Sequence, residues 1–341
     1  MMAILFQDGF DLYGAIGEVT RRWAQAHATI FTYSTTSGRF GGGGITCTQD
    51  DTYLETPSLG SPQTVIISFA FKCDNNDALG TDRIIEFNNE LGVLFSLYWI
   101  VGTNTWQARS GITTVLGSFN ITRQVWHWIS IKLTVSDTVG TIDVELDNVS
   151  VLSVSGADTH GNVAGTDTVT SIGLGGQLDI SITFDDVIVC DDTGAAPFND
   201  LLTDRRIGTI LPNAAGDSSG FTASPAVANY LNVDDTAPDD DTTYVESEVT
   251  TTKDLYNMAA VGFSPSTVDA AAILALVSNP DAGVTQCRLK CKSGTTEGTG
   301  SAQFATSGYT YLNELFLLNP DTSSAWTETT INSMQAGIEI V

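Results

Sequence analysis

Basic residues are what this chain has least of: 14 Lys and Arg stand against 40 Asp and Glu in 341 residues, a formal net charge of −26. A nucleic-acid backbone is gripped by a basic patch or stripe and an anionic bilayer by clustered Lys and Arg, so both partners are excluded on charge. Long apolar runs are missing too. The longest, Leu91 to Val101, falls well short of the ~20 residues that a bilayer span requires, and no membrane insertion is expected. The apolar stretch Ala3-Ile-Leu-Phe6 has no basic residues before it and turns acidic at Asp8, so no secretory signal is expected. His27, His127 and His160 are the only histidines, and none lies in a His-Glu-x-x-His, Gly-x-Ser-x-Gly or similar frame. Five cysteines (Cys47, Cys73, Cys190, Cys287, Cys291) are odd in number and scattered, which points to reduced, buried thiols rather than a disulfide framework.

What is present is the material of strands. The 42% hydrophobic and 9% aromatic content excludes a disordered chain, and Gly and Thr are abundant. Thr64–Lys72, Arg83–Asn88, Leu91–Val101, Trp126–Val135, Thr141–Asp147, Val149–Val154, Ser171–Gly175 and Leu178–Cys190 are short β-branched or alternating segments separated by turn clusters. Asp147-Asn148 reads as a tight hairpin turn, because Asn and Asp tolerate positive φ. After the punctuated stretch Ala195-Ala-Pro-Phe-Asn-Asp200 a second series begins. Arg205–Leu211 is expected as a strand, Gly216–Asp241 as a loop-rich region, and Val268–Val277 as a strand whose alanines are also compatible with a helix. Asn279–Gly283 reads as a turn. Val284–Lys292, Ala302–Ala305, Tyr309–Leu318 and Gly337–Val341 read as strands, with one short helix within Thr322–Asn332. The expected fold is all-β, with two β-sandwich (jelly-roll) domains in tandem, residues 1–194 and 195–341.

Gln124-Val-Trp-His-Trp-Ile-Ser-Ile-Lys-Leu133, Gly140-Thr-Ile-Asp-Val-Glu-Leu-Asp-Asn148 and Phe184-Asp-Asp-Val-Ile-Val189 make the first domain resemble the concanavalin A-like, laminin-G-type jelly roll. Asp8-Gly-Phe-Asp-Leu-Tyr13, Gly38-Arg-Phe-Gly-Gly-Gly-Gly44, Phe184 through Gly194, Pro238 through Val245 and the ending from Trp326 make the chain as a whole resemble tailed-bacteriophage virion proteins. That resemblance implies an exposed tail, fibre or head-decoration component, assembled in the host cytoplasm. It would act by self-association, as a trimer by family habit, and by binding other capsid or tail proteins. It brings no catalytic residues with it. The alternative is a carbohydrate-binding adhesin for host glycans. A polysaccharide hydrolase rests on one strand alone.

That strand carries Asp143, Glu145 and Asp147 on one face and Ile142, Val144 and Leu146 on the other. Same-face neighbours lie roughly 6.5 Å apart, a spacing compatible with paired carboxylates, but alternation of this kind is equally what a half-exposed strand shows. The acidic groups Asp185, Asp186, Asp191 and Asp192, and the run Asp234–Asp241, read as solvated loops, with calcium as the other reading. Cys287 and Cys291, roughly 13 Å apart along a strand, cannot bridge each other. Gly41–Gly44 is a turn, and His127 is expected at the surface. Trp99, Trp106, Trp126 and Trp128 read as core, with a sugar-stacking platform as the alternative. No residue is assigned a catalytic, cofactor-binding or metal-ligating role, no cofactor is expected, and the protein is expected not to be an enzyme.

Overall fold

A computed structural model describes residues 4–25, 31–48, 52–74, 81–100, 102–161, 163, 165–176, 181–280 and 285–341. His27 and parts of the expected segments at 177–180 and 281–284 lie outside them. The chain divides into two compact units, Met1–Ile207 and Gly208–Val341, and is all-β, built from antiparallel sheets. No helix among the described residues is long and apolar enough to cross a membrane.

The first unit holds β1 (Ile4–Asp8), a single helical turn α1 (Ile16–Val19), β2 (Phe31–Ser34), β3 (Gly44–Cys47), β4 (Thr52–Glu55), β5 (Thr64–Cys73), β6 (Thr81–Asn89) and β7 (Gly92–Ile100). It continues with β8 (Thr105–Ser110), β9 (Thr114–Asn120), β10 (His127–Thr134), β11 (Gly140–Leu146), β12 (Val149–Ala157), β13 (Ser171–Gly176) and β14 (Ile182–Asp191). One sheet runs β12-β11-β10-β5-β14-β3-β2, with β1 also on β14; the other runs β4-β13-β6-β7-β8-β9. The apolar faces of the two sheets supply one core, with Trp99, Trp106, Phe69, Phe71, Phe87, Phe95 and Phe184 fully buried. Burial of such rings is the largest apolar contribution available to a sandwich.

Residues 195–207 belong to this unit, although the sequence puts the junction at 194/195. They run back over the outward face of the eight-stranded sheet. There Trp128 Nε1 donates to the Leu202 carbonyl (2.8 Å), Leu202 N donates to Ser130 Oγ (3.0 Å), and Phe198 and Leu202 are buried. This strap is why β5 is buried along both faces. It also explains why Arg205–Leu211 forms no strand: its backbone is spent on the first unit, as where Ile207 N donates to Asp186 Oδ1 (2.7 Å).

Two carboxylates fix the unit's irregular parts. Asp8, 3% exposed, accepts from Phe10 N (2.9 Å), Tyr13 Oη (2.6 Å) and Trp23 Nε1 (2.8 Å). Asp11 Oδ1 accepts from Gly43 N (2.7 Å), where a Cβ on Gly43 would stand 2.0 Å from the Phe10 carbonyl oxygen.

The second unit holds β15 (Pro212–Ser219), β16 (Thr222–Ser224), a 3-10 turn (Asn229–Asn232), β17 (Tyr244–Glu246), β18 (Lys253–Met258), β19 (Ala271–Val277) and β20 (Thr285–Ser293). β21 (Thr296–Thr299), β22 (Gln303–Ala305), β23 (Thr310–Phe316), α2 (Glu328–Ile331) and β24 (Gln335–Ile340) complete it. Its main sheet is β15-β18-β24-β20-β21 with β22 beside β20, while β19 pairs β23. Ala271, Ile273, Leu312 and Trp326 pack on Cys287, Leu289, Cys291 and Ala336 to form its core. The alternation in β20 is as expected, with its cysteines inward. The short helix is capped by Thr327, whose hydroxyl accepts from Thr330 N. The loop-rich stretch is pinned by the fully buried Asp254, which accepts from Phe221 N (2.9 Å), Asn229 Nδ2 (2.6 Å) and Tyr256 Oη (2.8 Å).

Candidate functional site

The outward face of the six-stranded sheet of the first unit carries polar and charged residues. Directly paired residues share a face, so two rows can be read across the strands. One is Glu55–Gly173–Glu86–Ser96–Arg109. The other brings Arg83, Tyr98, Gln107 and Ser118 into line, with Tyr53 at the far edge beside Gly175. The ring of Tyr53 lies over Gly173, where a Cβ would come within 2.8 Å of it.

Arg83 and Glu86 are three apart, which in a regular strand sets them on opposite faces. A bulge between Arg83 and Ile85 inserts Ile84 and turns both outward, so that Arg83 Nη1 meets Glu86 Oε2 at 2.7 Å. Asn88 Nδ2 donates to the other Glu86 oxygen (3.0 Å), and the Tyr53 hydroxyl also bonds Glu86. Burial, reinforced by the Glu86 charge, pushes the Tyr53 phenol well above its ordinary range, so it stays protonated. Arg83 Nε is buried without a hydrogen-bond partner.

Arg109 lies over the Tyr98 ring, its guanidinium carbon 4.1 Å from the ring centroid. Its nitrogens meet only neutral acceptors, Gln107 Oε1 (2.8 Å) and the Ile112 carbonyl (3.2 Å). Among the described residues, no carboxylate pairs with this guanidinium.

The groups singled out in the sequence fall elsewhere. Asp143 and Glu145 face outward on β11 while Ile142, Val144 and Leu146 are buried, as a half-exposed strand requires; Asp143 accepts from Ser153 Oγ (2.6 Å). Asp147 is not on the strand: it sits in the turn at φ 52° and accepts from Trp128 N (3.0 Å). His127 is buried rather than at the surface, with Nδ1 2.7 Å from Asp147 Oδ2 and Nε2 2.8 Å from the Thr122 carbonyl. Trp99, Trp106 and Trp128 are core residues. Trp126 is half-buried under Lys72. All five cysteines are buried thiols.

The reading of Asp185 and Asp186 as a solvated loop is corrected. Both lie in β14, 5% and 2% exposed, where the sheet bulges. Arg39 supplies the balancing charge: its backbone N donates to Asp185 Oδ2 (2.7 Å), and Nη2 lies 3.2 Å from Asp186 Oδ2. Burial raises both carboxyls above their ordinary range, and mutual repulsion adds to it for Asp185. Asp191 is half-buried at the end of β14 and Asp192 is exposed. In the acidic run of the second unit, Thr243 Oγ1 donates to Asp235 and Asp239, and Tyr309 donates to Asp241.

No protein-family model and no curated protein sequence matches the chain. Among solved structures, a mutant of alginate lyase Aly36B in complex with alginate tetrasaccharide aligns at TM-score 0.39 and 10% identity, over 55% of this chain and 96% of that one. The catalytic domain of a glycoside hydrolase family 131 protein from Coprinopsis cinerea aligns at 0.38 and 13%, over 60% and 99%. A protein of unknown function with a galectin-like fold from Bacillus subtilis aligns at 0.36 and 11%, over 55% and 96%. These are likenesses of fold, to β-sandwiches of the jelly-roll kind. They overturn the expectation of a chain that is not an enzyme: alginate lyases and hydrolase catalytic domains stand among the structures it resembles.

Proposed function

We propose that the first unit binds an acidic polysaccharide along the outward face of its six-stranded sheet. The observation that carries this is Arg109, an arginine stacked on Tyr98 and, among the described residues, hydrogen-bonded to neutral groups. A guanidinium presents a planar fork that matches a carboxylate, and it stays charged at any working pH. Gln107 beside it offers hydroxyl-matching amide groups, and the small residue Ser96 keeps the row low between Glu86 and Arg109. The likeness to an alginate lyase bound to its tetrasaccharide agrees with this reading in kind. The resemblance to phage virion proteins supplies the setting: an adhesin on the particle exterior meeting host-surface glycans.

Electrophoresis of the full chain through gels carrying alginate, polygalacturonate or a neutral β-glucan tests this. Retardation by the two uronate polymers, relieved by salt and lost in Arg109→Ala, is the expected result. Retardation by the neutral glucan alone, or retardation indifferent to Arg109→Ala, refutes it. The same incubations assayed for new reducing or unsaturated ends show whether the bound polymer is also cleaved.

A further inference from the structure

Away from that face, three segments of the first unit converge on one histidine. Asp137 lies in the turn between β10 and β11, His160 follows β12, and Asp167 precedes β13. One ligand atom from each lies within 4.8 Å of the others. The His160 side chain is only 8% exposed, and its two nitrogens have different surroundings. Nδ1 is 3.0 Å from Asp137 Oδ1, at ion-pair distance. Nε2 is 3.3 Å from the Thr166 carbonyl oxygen, a hydrogen bond, and 3.7 Å from Asp167 Oδ1, too far for one.

Those two longer separations have a chemical reading. Ligands about 2.0–2.1 Å from a tetrahedral metal ion stand about 3.3 Å from each other. A metal ion taken up there would replace the proton that Nε2 shares with the Thr166 carbonyl, and Asp137 beside Nδ1 stands where carboxylates orient metal-bound histidines. The backbone holds the ring in place, since Asp158 Oδ1 accepts from His160 N (3.0 Å) and Gly161 N (3.2 Å).

We propose that His160 Nε2, the Asp167 carboxylate and the Thr166 carbonyl form a binding site for a divalent transition metal such as Zn²⁺, with Asp137 as the positioning residue behind the imidazole. Nitrogen plus oxygen donors suit such an ion better than calcium, which takes oxygen ligands. The site ties the segment between β12 and β13 to the turn between β10 and β11. It depends on nothing in the polysaccharide reading.

Titration of the EDTA-treated, dialysed full chain with Zn²⁺ alone, followed by calorimetry at pH 7.5, is the test. One site per chain at micromolar Kd is expected. His160→Gln and Asp167→Asn should each weaken it at least 100-fold, and Asp137→Asn by about 10–100-fold. Should His160→Gln fail to fold, Asp167→Asn decides, because that side chain is 43% exposed and carries little packing. Substituting Co²⁺ gives a second readout: weak visible bands without thiolate charge transfer are expected. No saturable binding, binding indifferent to Asp167→Asn, or a thiolate band placing the ion on cysteine each overturns the proposal.

Discussion

Arg39→Met is the substitution that most directly tests how the first unit holds together. The methionine keeps most of the aliphatic bulk against Trp128 and Phe40 but removes the guanidinium that lies 3.2 Å from Asp186 Oδ2, leaving Arg206 as a further cation acting on that carboxyl. Asp186 retains its bond from Ile207 N, and Asp185 keeps those from the Arg39 and Asp186 backbone nitrogens. What is lost is the countercharge over a carboxyl 2% exposed, together with the guanidinium bonds to Asp204 and the Arg205 carbonyl. Breaking a buried pair from one side costs about 3–5 kcal/mol. The exposed Asp204 adds little to that.

The cost also has a pH dependence of known sign. Both carboxyls are raised in the folded protein, so through neutrality the folded chain holds more protons than the unfolded one. Stability from this pair is complete below the ordinary carboxylate pKa of about 4 and declines as pH rises through the neutral range. Without Arg39 the carboxyls rise further and the decline steepens. The substitution should therefore cost at least about 1.4 kcal/mol more at pH 8 than at pH 5.5, one pKa unit's worth. Urea unfolding read by tryptophan fluorescence measures this, because five of the six tryptophans lie in the first unit. A loss under about 1 kcal/mol, or one of equal size at both pH values, refutes the account.

Three further outcomes follow from the same packing. Asp8→Asn replaces one of the two oxygens that accept from Phe10 N, Tyr13 and Trp23 with a donor and should cost about 3 kcal/mol in the same unfolding assay. Gly43→Ala forces a methyl into the Phe10 carbonyl and should cost about 3 kcal/mol, whereas Gly41→Ala, with nothing within 4 Å of its added carbon, should cost less, about 1 kcal/mol, set by its positive φ. The five buried thiols, with burial pushing Cys291 up to about 12, should react with a disulfide reagent only after denaturation, and reductant should leave the melting temperature unchanged.

Strand after strand was legible in the sequence because alternation is a local property: β11 and β20 lie with the expected faces inward. The boundary between the units was not, since the strap at 195–207 shows no period of its own and is claimed by long-range bonds from Trp128, Ser130 and Asp186. His127 was misplaced for a related reason. A strand position predicts which way a side chain points, not what the neighbouring turn, here at Asp147, folds over it. The stretches that carry the resemblance to virion proteins prove to be fasteners. Asp8 organises its own hexapeptide, Gly43 lets the glycine loop press on Phe10, and Arg39 closes on Asp185 and Asp186. They announce a fold and say nothing of a ligand.

The candidate site was hidden by a different mechanism. Gln107 and Arg109 could have been found, for they alternate with Trp106 and Ala108 in β8. Arg83 and Glu86 could not, because their meeting depends on one extra residue, Ile84, whose insertion no local pattern marks. A slip of one residue moves a strand's side chains to the other face, so a single bulge rewrites which charges a sheet shows to solvent. Here it sets Arg83 against Glu86, while Arg109, two strands away, meets neutral partners among the described residues. The sheet thus neutralises one arginine internally, and that asymmetry, a matter of register rather than composition, is the ground on which an acidic polysaccharide is proposed as the ligand.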